Sequence, residues 1–283
     1  MTPRIDTHQH FWRYDPQRYR WIDDDMPQLR RDFLPDDLEP LLTANGVDGC
    51  IAVQACSEPS ETDALLAMAE QHPWIRAVIG WVDLRAPELG DTLDQWAGNS
   101  RLRGFRHLVQ DEPSPSECLA EHGFCRGVAE LQRRGYVYEL LVRQDDLPAS
   151  LAFCRKHDGH VLILDHLGKP SVKDERPQDW VRRVRPLAEL EHVSCKLSGL
   201  FTEADWQHWQ PDQLLPYYAL AIELFGPTRL MFGSDWPVCL LAARYSQACE
   251  LLETALHSLT AHERDAIRGG NACRLYSLQG LAS

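Results

Sequence analysis

Eight short apolar runs recur along the chain, each followed by a stretch of helical periodicity. The runs cover residues 4–8, 47–54, 75–82, 102–108, 136–142, 160–166, 192–197 and 229–233. The helical stretches cover residues 38–44, 61–71, 89–96, 124–134, 147–156, 180–190, 212–225 and 242–256. Strands that alternate with helices pair in parallel with both faces covered, and the near-continuous apolar character of these runs fits that burial. Eight such units predict an α/β chain folded as a (β/α)8 TIM barrel, a single domain over residues 1–283. An open doubly wound sheet gives a similar list, but the glycine-rich turn that marks its dinucleotide-binding form is absent.

Local signals punctuate the pattern. Ser60 ahead of Glu61, Thr62 and Asp63 predicts an N-cap with acids in the first turn. Asn45-Gly46 and Gly135 predict glycine-terminated helices. Thr260-Ala261-His262-Glu263 has the spacing of a capping box and predicts a last helix.

A barrel does its chemistry at the C-terminal ends of its strands, and polar groups gather there. The first run ends in His8-Gln9-His10, the second near Gln54, the fourth in Arg106-His107. The fifth carries Glu139. The sixth ends in Asp165-His166, the seventh contains Lys196, and the eighth leads into Ser234-Asp235-Trp236. Residues i and i+2 of a strand share a face, so His8 and His10 point into one cavity. Two imidazoles and a distant carboxylate are suitable parts for a metal-assisted or acid–base hydrolytic site. Asp6 is expected on the same face but deeper, in a structural role or holding an imidazole tautomer. The facing of His107 turns on strand register, because a slip of one residue reverses it. Lys196 is costly to bury unpaired, so it is expected either to face the cavity or to snorkel. Trp12, Trp81 and Trp236 serve as barrel packing or as the wall of a small-molecule pocket.

Composition narrows the partners. The chain has 283 residues, 44% of them hydrophobic, and a net charge of −13. Such a balance gives no support for nucleic-acid or anionic-membrane binding. The cysteines number nine and form no C-x-x-C pair, which predicts reduced thiols in a cytoplasmic protein. The N-terminus lacks the apolar core of a secretory signal, and no run approaches the roughly 20 apolar residues of a membrane span. The oligomeric state stays open, a homo-oligomer included.

Taken together, several segments resemble the amidohydrolase superfamily, in its amidohydrolase-related branch (amidohydrolase family 2). They are Asp6-Thr7-His8-Gln9-His10-Phe11-Trp12, Gly104-Phe105-Arg106-His107, Leu164-Asp165-His166-Leu167-Gly168-Lys169-Pro170, Lys196-Leu197-Ser198-Gly199 and Phe232-Gly233-Ser234-Asp235-Trp236-Pro237-Val238. Within that branch the chain is most similar to sugar-lactone hydrolases, L-fuconolactonase-like and L-rhamnono-lactonase-like. The resemblance implies a metal-dependent-hydrolase-like barrel that hydrolyses a small cyclic ester, most simply a sugar (aldono)lactone. It implies Asp235 as general base, with His8, His10 and His166 around the reacting centre and Arg106 or His166 steadying the oxyanion. Trp12, Gln54, His107, Lys196 and Trp236 are expected to hold substrate.

The fourth and fifth strands offer Arg106 and Glu139 where binuclear relatives carry a bridging lysine and a histidine, so two metals are not expected. The resemblance leaves two cases: one divalent ion, zinc foremost, on His8, His10 and Asp235, or no metal at all. A metal-dependent decarboxylase is the alternative activity, and a non-catalytic binding barrel is the third reading. Residues 14–33, 111–123 and 171–178 are expected at the rim of the cavity.

Overall fold

The structure, a computed structural model, describes residues 2–174 and 176–278. Its strands are β1 (Ile5–Gln9), β2 (Gly49–Val53), β3 (Ile75–Gly80), β4 (Leu102–His107), β5 (Val137–Leu140), β6 (Leu162–Leu164), β7 (Val193–Leu197) and β8 (Leu230–Phe232). They lie side by side in sequence order, every neighbouring pair parallel. The ring closes between β8 and β1: Asp235 N–H donates to His8 O (2.8 Å), His10 N–H to Trp236 O (2.7 Å), and Thr7 Oγ1 to Phe232 O (2.6 Å). This is the (β/α)8 barrel that the alternation predicts.

The helices are α1 (Pro35–Ala44), α2 (Pro59–Gln71), α3 (Leu89–Asp94), α4 (Pro115–Ala120), α5 (His122–Arg133), α6 (Leu147–Lys156), α7 (Pro177–Ala188), α8 (Pro211–Phe225), α9 (Tyr245–Ala255), α10 (Ala261–Asp265) and α11 (Asn271–Leu275). Five of them, α1, α2, α4, α7 and α8, open on a proline. Proline's fixed φ and missing N–H cost nothing at that position. Ser60 is therefore not the N-cap of α2: Pro59 already starts the helix, and Glu58 precedes it. Gly46 and Gly135 follow α1 and α5 with φ of +62° and +79°. The capping box forms at α10, where Thr260 N–H donates to Glu263 Oε2 and Glu263 N–H to Thr260 Oγ1. None of the helices is long and apolar enough to cross a membrane, among the described residues.

Strand alternation sorts the core into two parts. Outward residues such as Cys50, Val78, Phe105, Tyr138, Leu164 and Cys195 pack among the helices. Inward residues Ile5, Ile51, Val53, Ala77, Ile79, Val137, Ile163 and Met231 fill the barrel and meet Ala272, Leu275 and Tyr276 of the last helical turns. The C-terminal segment thus plugs the barrel floor. Above the plug the interior becomes ionic. Tyr276 OH donates to Glu139 Oε1 (2.5 Å), and Lys196 Nζ to Glu139 Oε2 (2.5 Å). Lys196 Nζ also lies 3.2 Å from Asp165 Oδ1, and Arg106 NH1 donates to Asp165 Oδ2 at 3.1 Å. Glu139, Asp165 and Lys196 are wholly buried.

Two elements differ from the sequence pattern. β6 stops at Leu164 because Asp165 turns inward to Arg106 and Lys196, and residues 165–168 form a tight turn. After β8 a short turn, Val238–Leu241, precedes α9, so the helix begins at Tyr245.

Two outcomes test this packing. Lys196→Met leaves Glu139 and Asp165 facing each other without their shared cation. It should lower unfolding free energy by about 3–5 kcal/mol, read by urea denaturation; an unchanged midpoint refutes the ionic layer as a structural element. The second concerns Glu61 of α2, which accepts from the backbone N–H groups of Ala55 and Cys56 (3.0 and 2.9 Å) beyond β2. Burial raises its carboxyl from 4.5 to about 7, against those two hydrogen bonds. The folded chain then holds a proton that the unfolded chain has lost between about pH 4.5 and 7, so stability falls as pH rises through that window and levels off above it. The fall should be roughly 2–3 kcal/mol relative to Glu61→Gln, whose own profile lacks it, by thermal or urea unfolding at stepped pH.

Candidate active site

β1 does not alternate evenly. Its pairing with β2 shifts between Asp6 and Gln9, and a bulge of this kind reverses which residues face inward. Ile5 points into the barrel plug and His8 and His10 into the space above it, while Asp6 points out. Asp6 therefore does not share their face or hold an imidazole; of the two roles expected of it, it takes the structural one. Its carboxylate accepts from Ser234 N (2.9 Å), Ser234 Oγ (2.6 Å), His8 N (3.1 Å) and Tyr245 OH (3.2 Å). It fastens β1 to the loop that carries Asp235.

Asp235 and His166 both lie just past a strand, on left-handed backbone: φ is +60° at Asp235 and +52°, +57° and +48° at His166, Leu167 and Lys169. Non-glycine residues adopt this conformation at a cost and need their surroundings to hold it. Trp180 of α7 supplies one such hold, donating its indole N–H to Leu167 O (2.7 Å). Gly199 supplies another, because a Cβ there would lie 2.4 Å from His166 Nδ1. Ser198 Oγ stands 2.9 Å from the same nitrogen.

One carboxylate oxygen sits among three imidazoles as a result. Asp235 Oδ1 is 3.4 Å from His10 Nε2, 3.9 Å from His8 Nε2 and 4.0 Å from His166 Nε2. Arg106 completes the group: NH1 reaches His8 Nε2 (3.1 Å), and NH2 donates to Gln54 O (2.5 Å) and Gln54 Oε1 (3.2 Å). His10, His166, Arg106 and Asp235 line a cavity of about 420 Å³ at the C-terminal end of the barrel. His8 lies beneath them, wholly buried.

Burial holds the His8 imidazole well below its ordinary pKa, reinforced by the charges of Lys196 and Arg106. His166 is held low by burial too, although Asp235 opposes the shift. Burial pulls the Asp235 carboxyl up, but the neighbouring His166, His10 and Lys169 outweigh it and leave the group below 3.8. Near neutral pH the centre is thus a carboxylate facing two neutral rings.

The five residues expected to hold substrate do not line the cavity. Arg106 and His107 are consecutive on β4, so an inward Arg106 turns His107 outward. There Trp81 Nε1 donates to its Nδ1 (3.1 Å), and its Nε2 donates to Glu112 (2.6 Å). Gln54 is occupied with Arg106. Lys196 lies below His8, its Nζ 3.1 Å from Nδ1. Trp12 and Trp236 both pack against Phe33, at ring separations of 5.4 and 5.3 Å. The walls come instead from Trp21, Asp23 and Met26, from Gln110, Asp111 and Arg143, and from Lys169, Glu203 and Trp206. Segment 14–33 is at the rim as expected, and segment 111–123 contributes Asp111. Residues 171–178, of which 175 lies outside the described residues, do not line this cavity. The turn after β7, with its polar and aromatic run to Trp206, was the available signal for that wall.

His8, His10 and Asp235 offer ligand atoms within 4.8 Å of one another, and their polarity suits a cation. His10 Nδ1 must donate to Val53 O (2.8 Å), since a carbonyl only accepts. Its Nε2 then presents a lone pair to the Asp235 oxygen. Arg106 is always a donor, which makes His8 Nε2 an acceptor as well. The free lone pairs of His10 Nε2 and Asp235 Oδ1 converge beside His8 Nε2, whose single lone pair faces Arg106 NH1, and a backbone carbonyl fixing one imidazole is the usual support for a ligating histidine. His8, Asp165 and His166 also lie within 4.8 Å, and so do His107, Glu112 and Cys118. Arg85 already serves the latter cluster, at 3.1 Å from Glu112 and 3.3 Å from Cys118.

The chain was compared with known proteins. The family model described as amidohydrolase matches residues 5–278. An L-fucono-1,5-lactonase of Burkholderia multivorans is 48% identical, with 97% of this chain and 96% of the relative covered. An L-fucono-1,5-lactonase of Burkholderia ambifaria is 33% identical, covering 98% and 97%. A crystal structure of an amidohydrolase from Burkholderia multivorans with bound zinc superposes with a TM-score of 0.95 at 47% identity, covering 98% of this chain and 99% of that one. A shared ring of strands and a match over nearly the whole length have one reading: the chain belongs to the amidohydrolase family.

Proposed function

We propose that the chain hydrolyses a sugar lactone, L-fucono-1,5-lactone or a close stereochemical relative, with Asp235 as general base. The observation that carries this is the single Asp235 oxygen set among His8, His10 and His166 at the floor of a cavity of about 420 Å³. Two curated lactonases match over the full length. The decarboxylase alternative is not favoured: β5 places Glu139 under Lys196, with no histidine to add a ligand.

A lactone carbonyl is already activated. Asp235 takes a proton from a water as the water oxygen bonds to the carbonyl carbon. The developing oxyanion lies in the field of Arg106, which is held in place by Gln54 and Asp165 and need not reorganise. The ring C–O bond then breaks, and the proton on Asp235 passes to the departing ring oxygen. An open-chain hydroxy acid leaves. His8 acts from below, keeping the orientation of the group rather than touching substrate. His10 and His166 border the reacting carbon.

His8, His10 and Asp235 are the residues that would hold one divalent ion, and two imidazoles with a carboxylate suit zinc. When bound, such an ion supplies Lewis-acid polarisation of a carbonyl. The expected content after incubation with zinc and desalting is close to one ion per chain, lost in His10→Ala, by metal analysis; zinc retained by that variant would place the ion elsewhere.

Asp235→Asn keeps the shape and removes the base. Turnover of aldonolactones should fall on the order of 10²–10⁴-fold, followed by acid release with a pH indicator. Full activity in that variant would take Asp235 out of the mechanism. Carbon dioxide release from an aromatic or unsaturated acid, without lactone opening, would support the lyase instead.

A further inference from the structure

The walls of the cavity carry a pattern of charge that the hydrolysis itself does not require. Its lining has three cations, Arg106, Arg143 and Lys169, and four carboxylates, Asp23, Asp111, Glu203 and Asp235. Arg106 and Lys169 are already paired, and Arg143 only loosely so. Arg106 is held by Gln54 and Asp165. Arg143 NH2 is 3.9 Å from Asp111, both of them largely open to solvent. Lys169 Nζ is 3.0 Å from Glu203 Oε1, with the two side chains only 16% and 17% exposed.

The Lys169–Glu203 pair is the one placed to act on substrate. Lys169 ends the left-handed turn that aims His166, its N–H donating to His166 O (2.8 Å). Its charge is among those that lower the carboxyl of Asp235 and the imidazoles of His8 and His166. Glu203 ends the turn Phe201–Glu203 after β7, and its carbonyl accepts from Lys173 N (3.3 Å). Backbone therefore fixes both partners. A second polar cleft of about 400 Å³ shares Arg143, Lys169, Thr202, Glu203 and Trp206 with the first. The pair is the partition between the two.

We propose that Glu203, by cancelling Lys169 at this wall, makes the site selective for lactones whose ring substituents are uncharged, and that it excludes lactones bearing a carboxylate. This rests on the lactonase reading above. A carboxylate entering the cavity meets a net negative lining and, at this wall, a cation already paired with Glu203, so it loses its water there without gaining a partner. Hydroxyl groups meet a wall of paired ions, which offers both donors and acceptors. Specificity then comes from a built-in repulsion as much as from attraction. Removing the Glu203 charge frees Lys169 beside the reacting centre, where an ammonium–carboxylate hydrogen bond is a strong contact.

The test uses the full chain and two lactones of identical ring, one ending in a hydroxymethyl group and the other in a carboxylate. Wild type should favour the uncharged lactone in kcat/KM. Glu203→Gln should move the ratio toward the carboxylated lactone by at least about tenfold, and Lys169→Met added to it should reverse that gain. Glu203→Ala serves if the glutamine variant folds poorly, and 0.5 M salt should shrink the gain. An unmoved ratio in a Glu203 variant that still opens the uncharged lactone overturns the proposal and leaves the lactonase reading standing. Wild type that opens both lactones equally well does the same. Wild type that opens neither lactone removes the lactonase reading, and this proposal with it.

Discussion

Lys196 stands at the centre of the barrel with no exposure to water, between Glu139 on one side and Asp165 and His8 on the other. Such a charge is expensive to bury and stays only if its surroundings satisfy it. Here the surroundings extend through the whole interior. Glu139 is held from below by Tyr276, so the last described turns of the chain reach the ionic layer. Asp165 is shared with Arg106, which is shared in turn with His8 and Gln54. The apolar plug, the ionic layer and the imidazoles above it form three storeys, each resting on the one below. A ring of parallel strands makes this arrangement available, because one inward position from each of several strands falls at the same height.

The groups over that layer are aimed by loops rather than by strands. His166 and Asp235 sit just beyond β6 and β8 on left-handed backbone. A strand can only point a side chain directly in or out. A turn held in an unfavourable conformation can set it at an intermediate angle, toward a common point over the axis. The cost is met by neighbours with no part in the chemistry: the Trp180 indole on the Leu167 carbonyl, the missing side chain at Gly199, and Asp6 binding the Ser234 backbone.

The legible parts of this arrangement were those set by periodicity and chain order. Alternation gave eight strands and their helices, and the strand-end positions brought His8, His10, His166, Arg106 and Asp235 together. What escaped depended on parity and depth. The bulge in β1 sends Asp6 outward, and a period-of-two argument has no means of seeing it. His107 follows from Arg106 once the register is known, since neighbours on a strand cannot share a face. Lys196 faces inward as expected but too far down to meet substrate, and depth along the barrel axis leaves no mark on a hydrophobicity pattern. Trp12 and Trp236 lie one layer behind Trp21, among Phe11, Phe33 and Tyr19. The wall formed by Glu203 and Trp206 belongs to a connection whose path depends on contacts, not on its own composition.

The charges around the reacting point explain why a cation and an uncharged substrate suit the same site. Glu139, Asp165 and Asp235 bring three carboxylates to the ionic layer and the floor, against the two cations Lys196 and Arg106. Lys169 adds no surplus, because Glu203 answers it. The charge of Asp235 falls beside His10 Nε2, whose lone pair faces it. A metal ion would relieve that convergence. A substrate carboxylate would add to the same excess in a space where burial strengthens every repulsion. The proposed preference for uncharged lactones and the proposed cation site would share one electrostatic origin: a carboxylate set beside His8 and His166, two rings that burial keeps neutral.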